Sequence, residues 1–190
     1  MKKYLWSIIV AIFIFVPLFA HANVLTFDEL TGQAPMLNSY QGIVSWEPGS
    51  WSYYNWVQSP YNPHSGATRL YSADGTPSWD FLTSVVYNGS WFSGISNANV
   101  SLQMDLYLQG VLVYSTGTFG SLSNVPTFLA TNYSGLVDRV VINTTSPRSW
   151  VMDDLTYTPS GTTSIVPEPS ILFLLVTGLV GLAGVRRFKE

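Results

Sequence analysis

Four acidic residues form two matching pairs within residues 23–165, a region that we call the body. Asp28 and Glu29 lie near its start, and Asp153 and Asp154 lie near its end. If the segments that carry them pair as neighbouring strands, several carboxylate oxygens gather in one place. Calcium binds six to eight oxygen ligands, and a cluster without histidine or cysteine suits it better than zinc. The sequence therefore predicts a structural Ca²⁺ site. The alternatives are solvated acids at strand ends, or an internal partner such as an arginine or a backbone amide.

A second candidate site lies in the long connection at residues 47–65, which is dense in aromatic residues. Tryptophan and tyrosine faces can stack on sugar rings, and long loops in compact domains are often functional. We therefore predict a carbohydrate-binding platform, and the alternative is a secondary core beneath the loop. The platform residues are Trp51, Tyr53, Tyr54 and Trp56.

Patterns that indicate catalysis are weak. His64 is the only histidine after residue 21, the chain has no cysteine, and Ser65 lies in no nucleophile-elbow pattern. The acidic residues do not form the positioned pair that glycoside hydrolysis needs. No catalytic residue is predicted, and a glycan-active hydrolase is kept as the alternative class.

The elements that position these residues are predicted to be strands. Residues 100–108 alternate apolar and polar side chains, and Gln109-Gly110 then predicts a hairpin turn. In the last strand, alternation places Asp153 on the face of Leu155 and Asp154 on the opposite face. The predicted strands are 24–27, 42–46, 67–71, 81–87, 100–108, 111–114, 127–131, 137–143 and 150–157. This spacing predicts an all-β, antiparallel β-sandwich with a jelly-roll-like topology at residues 23–158.

Charge and cysteine content limit the partners and the source of stability. Residues 23–165 carry nine acidic and three basic side chains, a formal net charge of −6, so the body has no basic footprint for nucleic acid. The absence of cysteine means that the core or a bound ion, rather than disulfides, must supply stability.

The N-terminus has the pattern of a signal peptide. Lys2 and Lys3 precede an apolar stretch at residues 4–19, and Ala20-His21-Ala22 fits a signal peptidase site. Residues 1–22 are therefore predicted to be removed on export, with an uncleaved membrane anchor as the alternative.

The C-terminus has three adjacent parts that follow a flexible linker at residues 159–165. A Pro-Glu-Pro segment comes first, and an apolar run at residues 171–185 follows it. As a helix this run would extend over about 22 Å, a short transmembrane span whose end is held on the cytoplasmic side by basic residues. The segment consists of Val166, Pro167, Glu168, Pro169 and Ser170, and the basic residues are Arg186, Arg187 and Lys189.

This order of motif, short apolar helix and basic tail resembles the PEP-CTERM sorting signal of Gram-negative bacteria, and Pro167, Glu168 and Pro169 match its motif. The resemblance covers residues 166–190. It implies recognition by an exosortase, a membrane transpeptidase, with an intermediate in the inner membrane and transfer to the cell surface or the extracellular matrix.

The borders of the body carry a second resemblance. Thr26-Phe27-Asp28-Glu29-Leu30 and the Asp153-Asp154-Leu155 segment are similar to borders of jelly-roll modules of the MAM and carbohydrate-binding kind, in which the first and last strands pair. The sequence thus predicts an exported, non-enzymatic surface or biofilm-matrix protein that adheres to exopolysaccharide. A purely structural scaffold is the remaining alternative.

Overall fold

β-Strands make up the regular structure of the part of the protein that the structure describes. The computed structural model describes residues 21–72, 76–95 and 100–160, and no helix occurs within these ranges. The all-β prediction is therefore confirmed for the described part. The predicted signal peptide up to residue 20, the linker after Ser160 and the sorting signal at residues 166–190 lie outside it. The same three ranges contain no helix that is long and apolar enough to cross a membrane.

Eleven strands form the domain, and nine of them overlap the nine predicted strands. In chain order they are β1 (Asn23–Leu25), β2 (Gln33–Pro35), β3 (Val44–Trp46), β4 (Trp51–Tyr54), β5 (Arg69–Ser72), β6 (Ser78–Gly94), β7 (Leu102–Leu108), β8 (Val111–Ser115), β9 (Thr127–Ala130), β10 (Val137–Thr144) and β11 (Trp150–Pro159). The predicted hairpin is present, because Leu108 pairs with Val111 and both intervening residues have positive φ.

All eleven strands belong to one antiparallel, sandwich-like sheet system with the order β2-β4-β5-β11-β6-β10-β7-β8. Strand β1 adds to β11, while β3 and β9 add to β6. The predicted pairing of first and last strands is confirmed, with Asn23 opposite Tyr157 and Leu25 opposite Leu155. The jelly-roll topology stays a prediction.

Strand β6 organises the sheet because four other strands pair with it along most of its 17 residues. Its first residues pair with β3 and β10, and its later residues pair with β9 and β11. Gly89 permits the close approach of β9. It has a φ of 144°, and a Cβ there would lie 2.3 Å from the carbonyl oxygen of Leu129. Any larger residue would push β9 away from the centre of the sheet.

The connection at residues 47–65 is not a continuous loop, which corrects the prediction. Strand β4 lies inside it, paired on one side with β2 and on the other with β5. The aromatic residues Trp51 and Tyr54 thereby enter a sheet. What remains irregular is the segment at residues 55–68, which we call the cleft loop.

Four tryptophans from four strands pack together in the centre of the hydrophobic core, each at most 3% exposed. Trp51 is the central member, since its ring centroid lies 5.3 Å from that of Trp46 and 5.8 Å from those of Trp79 and Trp150. Its indole nitrogen donates to the carbonyl oxygen of Ser78 at 3.0 Å. These distances are typical of favourable aromatic packing. We call these four residues the tryptophan cluster.

Candidate functional site

An open cleft of about 350 Å³ lies at the β2 side of the sheet. Strands β2, β4, β5 and β11 and the cleft loop all contribute to it. The lining residues are Gln33, Tyr54, Trp56, Gln58, Tyr61, Tyr71, Arg148, Trp150 and Val151. We call this feature the aromatic cleft, because five of its nine lining residues carry aromatic rings.

Strand pairing positions the first wall of the aromatic cleft. Gln33 of β2 lies opposite Tyr54 of β4, and β4 pairs with β5, which carries Tyr71. The Gln33 side-chain amide donates to the Tyr71 hydroxyl at 2.7 Å. Neighbouring strands thus bring an amide and two phenol rings together, although 38 residues separate Gln33 from Tyr71 in the chain.

The aromatic rings of this wall form a contiguous set. The Tyr54 ring contacts Trp56 with a centroid distance of 5.1 Å and Tyr71 with one of 5.5 Å. The Arg69 guanidinium lies 4.2 Å from the Tyr54 centroid. Tyr54 is buried, whereas Trp56 is 46% exposed. An aromatic ring that contacts a buried ring and is itself partly exposed to solvent can stack on a flat apolar face of a ligand.

The cleft loop supplies the second wall and is tied to the sheet by its own side chains. The Tyr61 hydroxyl donates to the carbonyl oxygen of Arg148 at 3.3 Å. The Asn62 side chain donates to the carbonyl oxygen of Asn124, and the Asn62 carbonyl accepts from the Ser93 hydroxyl, both at 2.6 Å. These bonds fix the loop that carries Trp56 and Gln58.

The predicted acidic pair of β11 holds the far end of the cleft loop. Asp153 Oδ2 accepts the backbone amides of His64 at 2.7 Å and Ser65 at 2.9 Å. Asp154 Oδ2 hydrogen-bonds His64 Nδ1 at 2.6 Å, and Asp154 Oδ1 accepts from the Ser65 hydroxyl at 3.1 Å. The two carboxylates therefore satisfy polar groups that a loop folded onto a sheet would otherwise bury without partners.

A β-bulge corrects the predicted orientation of this pair. Asp153 lies opposite Trp91 and Leu155 lies opposite Ser90, so Asp154 is an extra residue, with a φ of 46°. The extra residue breaks the period of two, which places Asp153 and Leu155 on opposite faces. Both carboxylates then reach the same two loop residues and both are buried.

Burial has an electrostatic consequence for Asp153, which is 2% exposed. The pKa of Asp153 is raised from 3.8 to about 6; desolvation is the largest cause and the charge of Asp154 adds to it, while the backbone amides of Ser65, His64 and Asp154 act in the opposite direction. A neutral Asp153 would therefore be less costly to bury than a charged one.

The neighbourhood of His64 does not assemble a nucleophilic triad. The imidazole is stacked on the Trp91 ring at a centroid distance of 3.5 Å. The Ser65 hydroxyl donates to the carboxylates of Asp154 and Asp28, at 3.1 and 3.2 Å. A triad needs the serine hydroxyl bonded to the histidine instead. Within the described residues, these contacts of His64 and Ser65 hold the cleft loop against the sheet.

The predicted calcium ligands are only partly brought together. Asp28 joins the acidic pair through Ser65, whereas Glu29 accepts from Tyr40 and Gln41. Among the described residues, no group of three or more acidic, histidine or cysteine side chains is arranged to hold a metal. The Asp153 and Asp154 oxygens fit hydrogen bonds to the loop better than a calcium ion, and Ca²⁺ binding stays a prediction.

The predicted sugar platform is divided between two places. Tyr54 and Trp56 line the aromatic cleft, but Trp51 is 1% exposed in the tryptophan cluster, and Tyr53 packs against the core. The four residues therefore form no single exposed surface, because β4 places Trp51 in the core.

Seven of the nine lining residues were not among the predicted site residues, and two of these, Trp150 and Val151, belong to the predicted strand at residues 150–157. Gln58 and Tyr61 lie in the aromatic-rich connection that the sequence singled out, so composition could have found them. Gln33, Tyr71 and Arg148 come from distant segments, and only the sheet order brings them to the cleft.

Comparison with known proteins identifies a segment at the C-terminus. Residues 166–187 match the family model of the PEP-CTERM protein-sorting motif. Neither the curated proteins nor the solved structures contain a match to this chain. The matched residues include the predicted Pro-Glu-Pro segment, the apolar run and the first two basic residues of the tail. The match supports a PEP-CTERM protein, exported, processed by an exosortase and sorted to the surface of a Gram-negative cell.

Proposed function

We propose that this protein is a surface or matrix component whose β-domain adheres to exopolysaccharide through the aromatic cleft, without catalytic turnover. Signal peptidase and an exosortase process it, and the polymer is its partner outside the cell. The observation that carries the proposal is the composition of the cleft, in which contiguous aromatic rings adjoin side-chain amides.

The chemistry of the lining suits a sugar. The C–H faces of a sugar ring are apolar and can lie on Trp56, while the hydroxyls need donors and acceptors such as Gln33 and Gln58. The cleft volume of about 350 Å³ falls within the range of small-ligand sites. The cleft is open rather than enclosed, so a bound sugar can be part of a longer chain.

The same lining favours binding over hydrolysis. Glycoside hydrolysis uses two carboxyl groups that flank the scissile bond. The residues that line the cleft are aromatic, amide, aliphatic and guanidinium side chains. The acidic pair of β11, Asp153 with Asp154, already binds the cleft loop.

The test compares Trp56→Ala with Val57→Ala in the purified full-length chain. Val57 is 98% exposed, adjacent in sequence and not part of the lining. Retention on the producing organism's own exopolysaccharide is measured by affinity electrophoresis, and release of reducing ends is measured in parallel. We expect Trp56→Ala to weaken retention about tenfold because it removes the exposed stacking ring. Val57→Ala should bind as the unmodified chain does.

Two results would count against this function. Equal retention by both variants would mean that the aromatic cleft does not bind the polymer. Release of reducing ends by the unmodified chain would favour the glycan-active hydrolase instead.

A further inference from the structure

We infer that the Gln33 amide and the Tyr71 hydroxyl form a subsite for a vicinal diol, so that the aromatic cleft selects polysaccharides whose sugars keep two free hydroxyls on neighbouring ring carbons. In a (1→4)-linked hexopyranose polymer, every internal sugar has such a pair, its 2- and 3-hydroxyls. Internal sugars of a (1→3)-linked polymer have none, because the linkage occupies the oxygen between the two free hydroxyls. The inference rests on the proposed function, since it specifies the class of polymer that the same cleft binds.

The first observation is the hydrogen bonding of this pair, whose two members both line the cleft. The Gln33 side-chain nitrogen donates to the Tyr71 oxygen at 2.7 Å. Among the described residues, the Gln33 side-chain oxygen and the Tyr71 hydroxyl hydrogen have no further hydrogen-bond partner. An amide oxygen only accepts, and a phenol that has accepted one bond can still donate. The pair therefore offers one acceptor and one donor to a ligand.

This complementary polarity does not depend on which way the Gln33 amide points. If the amide is reversed, its oxygen accepts from the Tyr71 hydroxyl, its nitrogen is the free donor, and the phenol oxygen is the free acceptor. One donor lies beside one acceptor in both orientations. A carboxylate can only accept and an ammonium group can only donate, so neither satisfies both members.

A vicinal diol matches such a pair in chemistry and in spacing. Each of its hydroxyls can donate and accept, so one can bind the free donor while the other binds the free acceptor. Two gauche hydroxyls on neighbouring carbons lie roughly one hydrogen-bond length apart. The free donor and acceptor of the pair are also close together, because their side chains are joined by one hydrogen bond.

The second observation is the position of the pair beside the stacking ring. The Tyr71 ring meets Tyr54 edge-on, at an interplanar angle of 68° and a centroid distance of 5.5 Å. Tyr54 in turn contacts Trp56 at 5.1 Å. Tyr54 thus connects the stacking ring with the polar pair in one wall of the cleft. A sugar chain that stacks on Trp56 can extend along this wall to the pair.

Strand pairing holds the two side chains in place before a ligand binds. The Gly32 amide donates to the Asn55 side chain at 3.1 Å, which ties the start of β2 to the residue that follows β4. Tyr71 lies opposite Ser52 of β4, and its ring packs on Tyr54. A side chain that is already ordered loses less conformational entropy on binding, which favours affinity.

A subsite of this kind discriminates against ligands that leave it unsatisfied. An internal (1→3)-linked sugar offers no second hydroxyl on the neighbouring carbon, so one member of the pair loses its water without gaining a full partner. Gln33 is exposed and Tyr71 is half-buried. Because water still reaches these groups, we expect discrimination of about tenfold rather than the larger factors of enclosed sites.

The experiment compares unbranched glucans that differ in linkage. Amorphous cellulose and curdlan are the β-(1→4) and β-(1→3) polymers, and retrograded amylose and α-(1→3)-glucan form the corresponding α pair. Depletion of the purified full-length chain from solution by each suspended polymer is measured for Tyr71→Phe and for Tyr53→Phe. The control removes the same hydroxyl from a tyrosine of the neighbouring strand β4 that is outside the lining. A thermal unfolding midpoint is recorded for every variant.

We expect the unmodified chain to bind at least one (1→4) glucan about tenfold more tightly than its (1→3) partner. Tyr71→Phe should remove most of that preference by weakening (1→4) binding alone, because the ring remains and only the hydroxyl is lost. Tyr53→Phe should keep the preference. Gln33→Ala should cause a loss similar to that of Tyr71→Phe, and combining the two should add little, since the pair acts as one unit.

Three results would overturn the inference. These are equal binding of both linkages in each pair, no binding of either (1→4) glucan, or the same preference in Tyr71→Phe as in Tyr53→Phe. None of them contradicts the proposed function, which is judged by Trp56-dependent retention of the organism's own exopolysaccharide. Retention that does not depend on Trp56 would instead remove both proposals.

Discussion

The tryptophan cluster and the aromatic cleft use the same kind of side chain in opposite surroundings. Trp51 is enclosed by three other indole rings, whereas Trp56, five residues later, is half exposed over Tyr54. Trp150 belongs to both regions, since it packs on Trp51 and also lines the cleft. The core thus extends to the floor of the binding surface.

The two regions differ in whether their polar side-chain atoms have hydrogen-bond partners. In the cluster, the indole nitrogens of Trp46, Trp79 and Trp150 are buried without a hydrogen-bond partner among the described residues. Each such group costs about 1–3 kcal/mol, which close packing must offset. In the cleft, the Gln33 amide and the Tyr61 hydroxyl have partners. The comparison indicates that the cluster stabilises the fold, while the cleft keeps ordered polar groups available at the surface.

Truncation of the central tryptophan tests this division most strongly. Trp51→Ala should lower the free energy of unfolding by about 3–5 kcal/mol, because it opens a cavity among three rings and removes the indole hydrogen bond to the Ser78 carbonyl. Trp56→Ala should lower it by less than about 1 kcal/mol. Urea denaturation followed by circular dichroism measures both. Similar losses in the two variants would show that the cleft ring is part of the core.

A glycine in the cleft loop tests whether the second wall of the cleft depends on backbone geometry. Gly66 has a φ of 49°, and a Cβ there would lie 1.9 Å from Asp28 Oδ1. Gly66→Ala should therefore cost about 1–2 kcal/mol of stability. It should also weaken glycan retention, since the same loop carries Trp56, Gln58 and Tyr61.

Gly117→Ala is the matched control for this variant. A Cβ at Gly117 would meet no atom within 4 Å. It should leave the urea midpoint and glycan retention unchanged. If Gly66→Ala behaves in the same way, the loop adapts to the extra carbon, and its fixed geometry is not needed for binding.

The strands with clear alternation could be predicted from the sequence, and two strands could not. Strand β7 alternates over its whole length and is buried at every second position at its start. Strand β2 is three residues long, mostly exposed and ends in proline, so it has no pattern of its own. It forms because β4 offers it an edge, and β4 lay hidden among residues that resembled a loop.

The candidate site could be predicted only in part, because it also depends on strand pairing that the local sequence does not show. Dense aromatic composition identified Tyr54 and Trp56 but could not tell them from Trp51, because burial depends on pairing partners far away in the chain. The β-bulge at Asp154 has no local signal either, and it places Asp153 on the face opposite that of Leu155, where alternation predicted the same face. Charge alone predicted a calcium site and could not show that Asp153 and Asp154 form an anchor for the cleft loop; Ca²⁺ binding stays a prediction.

The smallest expected effect concerns the pH dependence of that anchor. The pKa of Asp153 rises from an ordinary value of 3.8 to about 6 on folding. Between these values the native state binds more protons than the unfolded state, so the free energy of unfolding falls as pH rises. Lowering the pH from about 7 to about 5 should therefore stabilise the protein by about 1 kcal/mol through this group.

Asp153→Asn removes that titration while keeping the size of the side chain, and Asp138→Asn is the control. Asp138 is also a backbone-amide acceptor, from Gln109 at 2.8 Å, but it lies in β10 beside the β7–β8 hairpin and accepts one amide where Asp153 accepts three. His64 and Asp154, the titratable neighbours, are unchanged in both variants. Thermal midpoints measured from pH 7 to pH 5 should rise less in Asp153→Asn than in the unmodified chain or the control. Parallel curves for all three proteins would mean that Asp153 titrates alike in the folded and unfolded states, and that its burial beneath the cleft loop carries no electrostatic cost.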